Sequence, residues 1–409
     1  MIQRLHRNAA IRTVLVALAI VITVIQWLYR NPIVRVVLLV LAVAVTKYYV
    51  SRYQGLILRI TGAGVLSFLI VLFSAPSVIR FLIKCRLGDQ VQFDHADLNK
   101  LTRHKSNTPT MGGILIVAAI FISVVIFADM WNMYIRMALL ALVWLGVLGG
   151  VDDWIKLRHA SGHGSRDGLK AWEKILFQIG LSVMLAIFMW SYGRGSNEAH
   201  SFYFPFSATP IALSVVVYVI IAVLTMVGTS NAVNLSDGMD GLASGCVCIV
   251  MMVLLVFSWL AGVREWAGVF SLPFIPASAE MTVLCSAMFG ATLGFLWYNA
   301  PPAQVFMGDT GSLPLGGLIG YIAVVIRHEL LLLIIGGVFV MEAASVIMQV
   351  GYFKYTRPGP GLPGTRIFRC APLHHHYHLG GWAETKVVIR FWVLGIIFAA
   401  IAIATLKLR

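Results

Sequence analysis

Long apolar runs alternate with short polar stretches along almost the whole chain. They fall at 11–28, 33–50, 60–79, 112–128, 134–151, 172–190, 210–228, 241–263, 282–299, 313–326, 330–350 and 388–406. About 20 apolar residues carry a helix across the hydrocarbon core of a bilayer. Backbone groups in lipid must be satisfied inside the segment, and runs this long and this rich in Leu, Ile, Val, Ala and Met suit helices rather than barrel strands. The pattern predicts an all-α, polytopic integral membrane bundle. The run 33–50 is polarised at its end by Lys47, Tyr48 and Tyr49. The run 313–326 is short and glycine-rich, so it tilts little or joins its neighbour through Arg327, His328 and Glu329.

Composition agrees. Of the 409 residues 59% are hydrophobic and 12% charged, with a mean hydropathy of +0.86, which excludes an ordinary soluble domain. The basic start Arg4, Arg7, Arg12 before the first run resembles a signal sequence, but Gln26, Trp27, Tyr29 and Arg30 stand where small cleavage residues would be. A retained helix is expected. No linker or internal repeat divides the chain, and the five cysteines form no CxxC pair.

The net charge of +14 would suggest nucleic acid in a soluble protein. Here Lys and Arg gather in particular loops. Stretches 80–110, 154–174 and 351–387 hold sixteen, whereas the intervening loops hold only Arg136, Arg194, Arg264 and Arg327. Basic loops face the cytoplasm and anionic lipid, so the segments after residues 79, 151, 228, 299 and 350 are expected there, with no nucleic-acid partner. For the first 58 residues, the two apolar runs favour two spans, which put the N-terminus outside, whereas the basic start favours one, which would put it inside; two are expected.

The carboxylates collect at that same expected face. Asp152 and Asp153 close the run 134–151, and an acidic pair at a helix C-terminus opposes the dipole, calling for a cation or for Lys156 and Arg158 as compensation. Asn231, Asn234, Asp237 and Asp240 recur every third residue, which either lines a drifting helix face or, given Gly238 and Gly241, marks opened backbone near a ligand. Two amides and two carboxylates can bind a sugar or base and complete a metal shell, although helix capping accounts equally for Asn231 or Asp240 alone. Asp309 is the single carboxylate of the glycine-rich loop Met307–Ser312, with Phe306 placed either to stack on a base or to pack. Hard divalent cations take such oxygen ligands and bridge them to substrate phosphates. His374, His375 and His376 could suggest zinc, but consecutive histidines diverge and the oxygen-rich surroundings favour Mg2+. With Arg366, Arg369 and Lys386 nearby, phosphate contacts fit the histidines better. Lys105 precedes a span on the same side and is otherwise one more inward-facing charge.

Together, Thr108–Gly113, Asp152–Asp153, Asn231–Gly241, Phe306–Ser312 and Phe368–His376 resemble the phospho-N-acetylmuramoyl-pentapeptide-transferase family, within the polyprenyl-phosphate N-acetylhexosamine-1-phosphate transferases. The resemblance runs from about residue 59 to 409, in the family's motif order. It implies ten core helices around a cytoplasmic cleft in the bacterial inner membrane, in a homodimer, with an N-terminal extension over 1–58 and the transferase domain over 59–409. It implies Mg2+-dependent transfer of phospho-MurNAc-pentapeptide from UDP-MurNAc-pentapeptide to undecaprenyl phosphate, giving lipid I and UMP. Asp309 is the implied metal ligand, Asp152 and Asp153 are acceptor-activating or metal-side carboxylates with Asp153 the second candidate metal ligand, and His375 joins them as catalytic. Lys105, Lys174, Asn231, Asn234, Asp237, Asp240, Phe306, His374 and His376 would line the substrate site. Asn107 replaces the family's usual glycine, and the first 58 residues exceed the family's short N-terminus.

Two other readings compete. An N-acetylglucosamine-1-phosphate transferase would differ in the donor it accepts. An ion-coupled transporter would carry polar groups at mid-membrane and an inverted repeat, and the sequence has polar clusters at one face instead.

Overall fold

The computed structural model describes residues 55–84, 108–160, 168–193, 196–205, 209–359 and 363–407. The runs at 11–28 and 33–50 lie outside the described residues, and so does Lys105.

The described chain is a helical bundle: α1 (Leu56–Lys84), α2 (Gly113–Phe127), α3 (Met133–Ala160), α4 (Ala171–Tyr192), α5 (Val215–Ser236), α6 (Leu242–Gly262), α7 (Arg264–Val269), α8 (Ala279–Asn299), α9 (Asp309–Val325), α10 (Glu329–Ile335), α11 (Gly337–Tyr355), α12 (Leu373–Leu379) and α13 (Glu384–Ala404). Its strands are two short ones, β1 (Ser201–Phe202) and β2 (Ile211–Ala212), paired antiparallel with Ser201 opposite Ala212. Among the described residues α1, α3, α4, α5, α6, α8 and α13 are long and apolar enough to cross a bilayer, seven in all. α10 and α11 pass that test only together and bend by 89° at their junction. α2 and α9 are apolar but have 15 and 17 residues. Each of the ten runs expected from residue 60 onward is thus helical, and length and composition alone support seven spans, or eight with the bent pair.

α9 is the axis of the bundle, buried along its whole length. A helix that is apolar all round belongs in a core. Glycines 316 and 320 set its backbone against Thr229, Ser230 and Met226 of α5, the small-residue packing that membrane helices use where hydrophobic collapse gives little drive. With 17 residues, α9 separates its two ends by about 25 Å.

Beyond the C-terminal end of α9, Arg327 is 1% exposed; its Nη2 lies 2.8 Å from Glu329 Oε1, its Nε donates to the Ser201 carbonyl at 3.0 Å, and its guanidinium covers the Tyr218 ring. Sequence reading counts Arg327 among loop charges, whereas the fold pairs it internally. Elsewhere Glu280 on α8 joins Arg59 of α1 at 2.7 Å and accepts the Asp129 N–H at 2.8 Å, which fixes the α2–α3 connection.

α3 differs from expectation. It runs past Asp153 to Ala160 instead of stopping at residue 151. Asp152 and Asp153 therefore sit inside a helix, and the dipole argument for their compensation does not hold. The compensating cation is nonetheless Lys156, one turn on, 2.6 Å from Asp152 Oδ2.

Candidate active site

The site forms where the N-terminus of α9 meets α3. The first N–H groups of a helix have no partner within it. Here Asp153 supplies one from another element: Oδ1 accepts the Asp309 N–H at 3.1 Å, and Oδ2 accepts the Thr310 N–H at 2.9 Å and the Thr310 hydroxyl at 2.7 Å. A carboxylate at that position is also favoured by the helix dipole. Two glycines permit the approach. A side chain at Gly149 would collide with the Asp309 carbonyl. Gly308 has φ +71° and ψ 178°, a region essentially confined to glycine, and a Cβ there would strike Asp153. The segment Pro109–Gly113 lies alongside the same loop: Phe306 N–H donates to the Pro109 carbonyl at 2.8 Å, and Gly112 and Gly113 N–H donate to the Phe306 and Met307 carbonyls, each at 2.9 Å. Two motifs nearly 200 residues apart are thereby joined through their backbones.

Asp309 itself is buried. Its Oδ1 accepts from Asn234 Nδ2 at 2.7 Å, and its Oδ2 lies 3.2 Å from Lys156 Nζ and 3.0 Å from Lys174 Nζ. The same two ammonium groups reach Asp152 Oδ2, at 2.6 and 3.2 Å. Asp152 Oδ1 accepts the Leu169 N–H at 2.8 Å, so the α3–α4 connection also closes on this carboxylate. Asp152, Asp153 and Asp309 place ligand oxygens within 4.8 Å of one another, and among the described residues this is the cluster able to hold a metal. An all-oxygen donor set of this kind matches a hard divalent cation rather than zinc.

The amide motif divides into two parts. Asn231 and Asn234 ride on the last turns of α5, while Asp237 caps it and Gly241, with φ +77°, begins the turn into α6. Both alternatives from the sequence, helix face and opened backbone, are realised in succession. Asn234 also donates to Ser312 Oγ at 2.9 Å. Asn231 is turned toward α4, donating to Gln178 Oε1 at 2.7 Å, and Gln178 donates to Ser230 at 3.1 Å. Asp237 is half-buried; loss of hydration, then the neighbouring Asp309 and Asp153 carboxylates, push its carboxyl well above the ordinary range, against the Gly308 N–H. Asp240 is buried and its Oδ2 accepts the Ala303 N–H at 2.9 Å, tying this turn to the loop before Asp309.

The histidines occupy α12. His374 and His375 are buried, with ring centroids 4.1 Å apart, so these two converge rather than diverge. The cause is shared packing against Gly238. His376 turns away, accepting the Arg369 N–H at 3.1 Å and packing on Phe368. Phe306 is half-buried in the loop that leads to Asp309. Sequence reasoning passed over Gln178, Thr310, Ser312 and Glu342. Gln178 and Glu342 carried a usable signal, since a polar side chain within an apolar membrane run is a functional suspect.

A helical membrane bundle closing on an acid-and-lysine cluster fits a transferase of phosphorylated sugars, and residues 135–327 match Glycosyl transferase family 4. Residues 105–117 match phospho-N-acetylmuramoyl-pentapeptide-transferase signature 1. The chain is 42% identical over 362 residues to the phospho-N-acetylmuramoyl-pentapeptide-transferase of Desulfotalea psychrophila, covering 88% of this chain and 96% of the relative. It is 43% identical over 368 residues to that of Nitratidesulfovibrio vulgaris (89% and 96%) and 40% over 378 residues to that of Brachyspira hyodysenteriae (87% and 95%). The chain belongs to the phospho-N-acetylmuramoyl-pentapeptide-transferase family, and is a multi-pass membrane enzyme of the glycosyl-1-phosphate transferase class.

Proposed function

We propose that this enzyme transfers phospho-MurNAc-pentapeptide from UDP-MurNAc-pentapeptide to undecaprenyl phosphate, forming lipid I and UMP, a membrane step of peptidoglycan synthesis. An oxygen of the acceptor phosphate attacks the β-phosphorus of the donor; the bond from that phosphorus to the oxygen bridging to the α-phosphorus breaks, and UMP leaves with that oxygen. The observation that carries this reading is the convergence of Asp152, Asp153 and Asp309 with Lys156 and Lys174 on one point, in a chain so close to named transferases.

Asp309 would hold Mg2+, with Asp152 and Asp153 completing the acidic surround. When bound, the ion neutralises the diphosphate and stabilises the leaving UMP. Lys156 and Lys174 add fixed positive charge where negative charge develops, where electrostatic catalysis gains most. A phosphate monoester has its second pKa near 6, so the acceptor arrives largely ionised and no obligatory base is needed; Asp152 instead positions Lys156 and Lys174, the cations an acceptor phosphate would meet. Attack is direct, without a covalent enzyme intermediate. Asn231, Asn234, Asp237, Phe306 and Lys105 would line the nucleotide-sugar site, with His375 and His376 toward the diphosphate. Asp240 and His374, both committed to internal contacts, support that lining from behind.

The basic loops favour placing this face in the cytoplasm at a bacterial inner membrane, and the family resemblance favours a homodimer. The deciding assay follows labelled UDP-MurNAc-pentapeptide onto undecaprenyl phosphate in detergent, with Mg2+ or with EDTA. UMP and labelled lipid forming only with the ion are expected; UDP-N-acetylglucosamine serving equally well as donor would overturn the donor assignment.

A further inference from the structure

Glu342 lies on α11, away from the acidic cluster, and is fully buried. A carboxylate buried in a membrane bundle is costly without a partner. Its partner is His374, whose Nδ1 is 3.2 Å from Glu342 Oε2 and which is itself fully buried. Neither Glu342 carboxylate oxygen and neither His374 ring nitrogen has a hydrogen-bond partner among the described residues, so the 3.2 Å approach of Nδ1 to Oε2 is the polar contact each side chain has. An acceptor at one imidazole nitrogen decides which nitrogen carries the proton and how the ring is turned. With Glu342 Oε2 on the Nδ1 side of the ring, Nε2 is aimed at the turn between α5 and α6. There the ring meets Gly238: any side chain at that position would collide with His374 Nε2 and come within 3.3 Å of His375 Nε2. Gly238 follows Asp237, the carboxyl whose charged neighbours are Asp309 and Asp153.

We propose that Glu342 is a positioning residue for the transfer reaction: through His374 it holds the Asp237–Asp240 turn in register with the acidic cluster. The proposal rests on the transferase reading above. Glu342 is fully buried behind the residues that would line the site, so its contribution is expected on turnover more than on donor affinity. Partners behind a site residue typically matter by about 10–100-fold.

The test pairs kinetics with 15N-histidine NMR of the full-length enzyme in detergent micelles, the His374 signals being assigned by their loss in H374N. Wild type is expected to show His374 protonated at Nδ1. E342L should lower kcat about 10–100-fold, leave KM for the nucleotide sugar within about twofold, and release His374 into a mixture of tautomers. E342Q, which keeps an acceptor, should restore much of the kcat and the tautomer. If E342L does not fold, E342D, which withdraws the carboxylate by one methylene, should show the same direction of change in both readouts. Wild-type kcat in E342L or E342D, a loss carried wholly by KM, or unchanged His374 signals in a slow variant would each overturn the proposal. Should wild type itself release no UMP, the transferase reading fails, while the NMR arm still decides whether Glu342 orients His374.

Discussion

Asp153 accepts the backbone N–H of Asp309 at 3.1 Å, so one acidic motif residue holds another in place across 156 positions of sequence. The contact caps α9 with a carboxylate and sets where the Asp309 side chain begins. Asp153→Asn removes the charge from that cap, at a cost of about 1 kcal/mol or more. A lower melting temperature in detergent and at least ~10-fold slower UMP release are expected.

Asp309→Asn is predicted to abolish transfer while leaving a folded protein in membranes. Its carboxylate meets Asn234, Lys156 and Lys174 together, and a neutral amide satisfies neither lysine. UMP release near the wild-type rate with Mg2+ present would contradict the assignment.

Gly149 and Gly150 are neighbours with opposite expected sensitivity. A methyl on Gly149 runs into the Asp309 carbonyl, whereas one on Gly150 finds Thr310 Oγ1 no nearer than 3.8 Å. G149A should cost about 1–3 kcal/mol and most activity, through overpacking that pushes α9 off α3. G150A serves as the control, with thermal stability and turnover close to wild type.

Asp237 gives a pH signature. Its folded-state carboxyl titrates well above the ordinary value of 3.8, so the native state binds that proton more tightly than the unfolded chain. Stability from this group is full below about 3.8 and is lost as pH rises through the higher folded value. In EDTA, Asp237→Asn should flatten the fall of melting temperature with rising pH, measured against wild type.

Much of this was legible in the sequence because lipid imposes simple rules. Apolar runs from residue 60 onward gave the helices, and carboxylates at run boundaries marked the site. Boundaries were less legible: α3 carries Asp152 and Asp153 past the expected stop because Lys156, one turn later, offsets the charge that would otherwise end an apolar segment. The bend between α10 and α11 could not be read from composition, since both halves are apolar. Long-range pairing was also hidden. Nothing in the spacing of Asp240 or His374 tells that the first holds Ala303 and the second meets Glu342.

Glu342 and Gln349 stand seven residues apart on α11, two turns along one side of it. The glutamate meets His374, while Gln349 Oε1 takes the backbone N–H groups of Ile367 and Phe368 at 3.1 and 2.9 Å. Inserting a single residue between them would swing the second by about 100° relative to the first. Histidine helix and preceding loop therefore answer to one rotational setting, and a twist of that rod would disengage both at once.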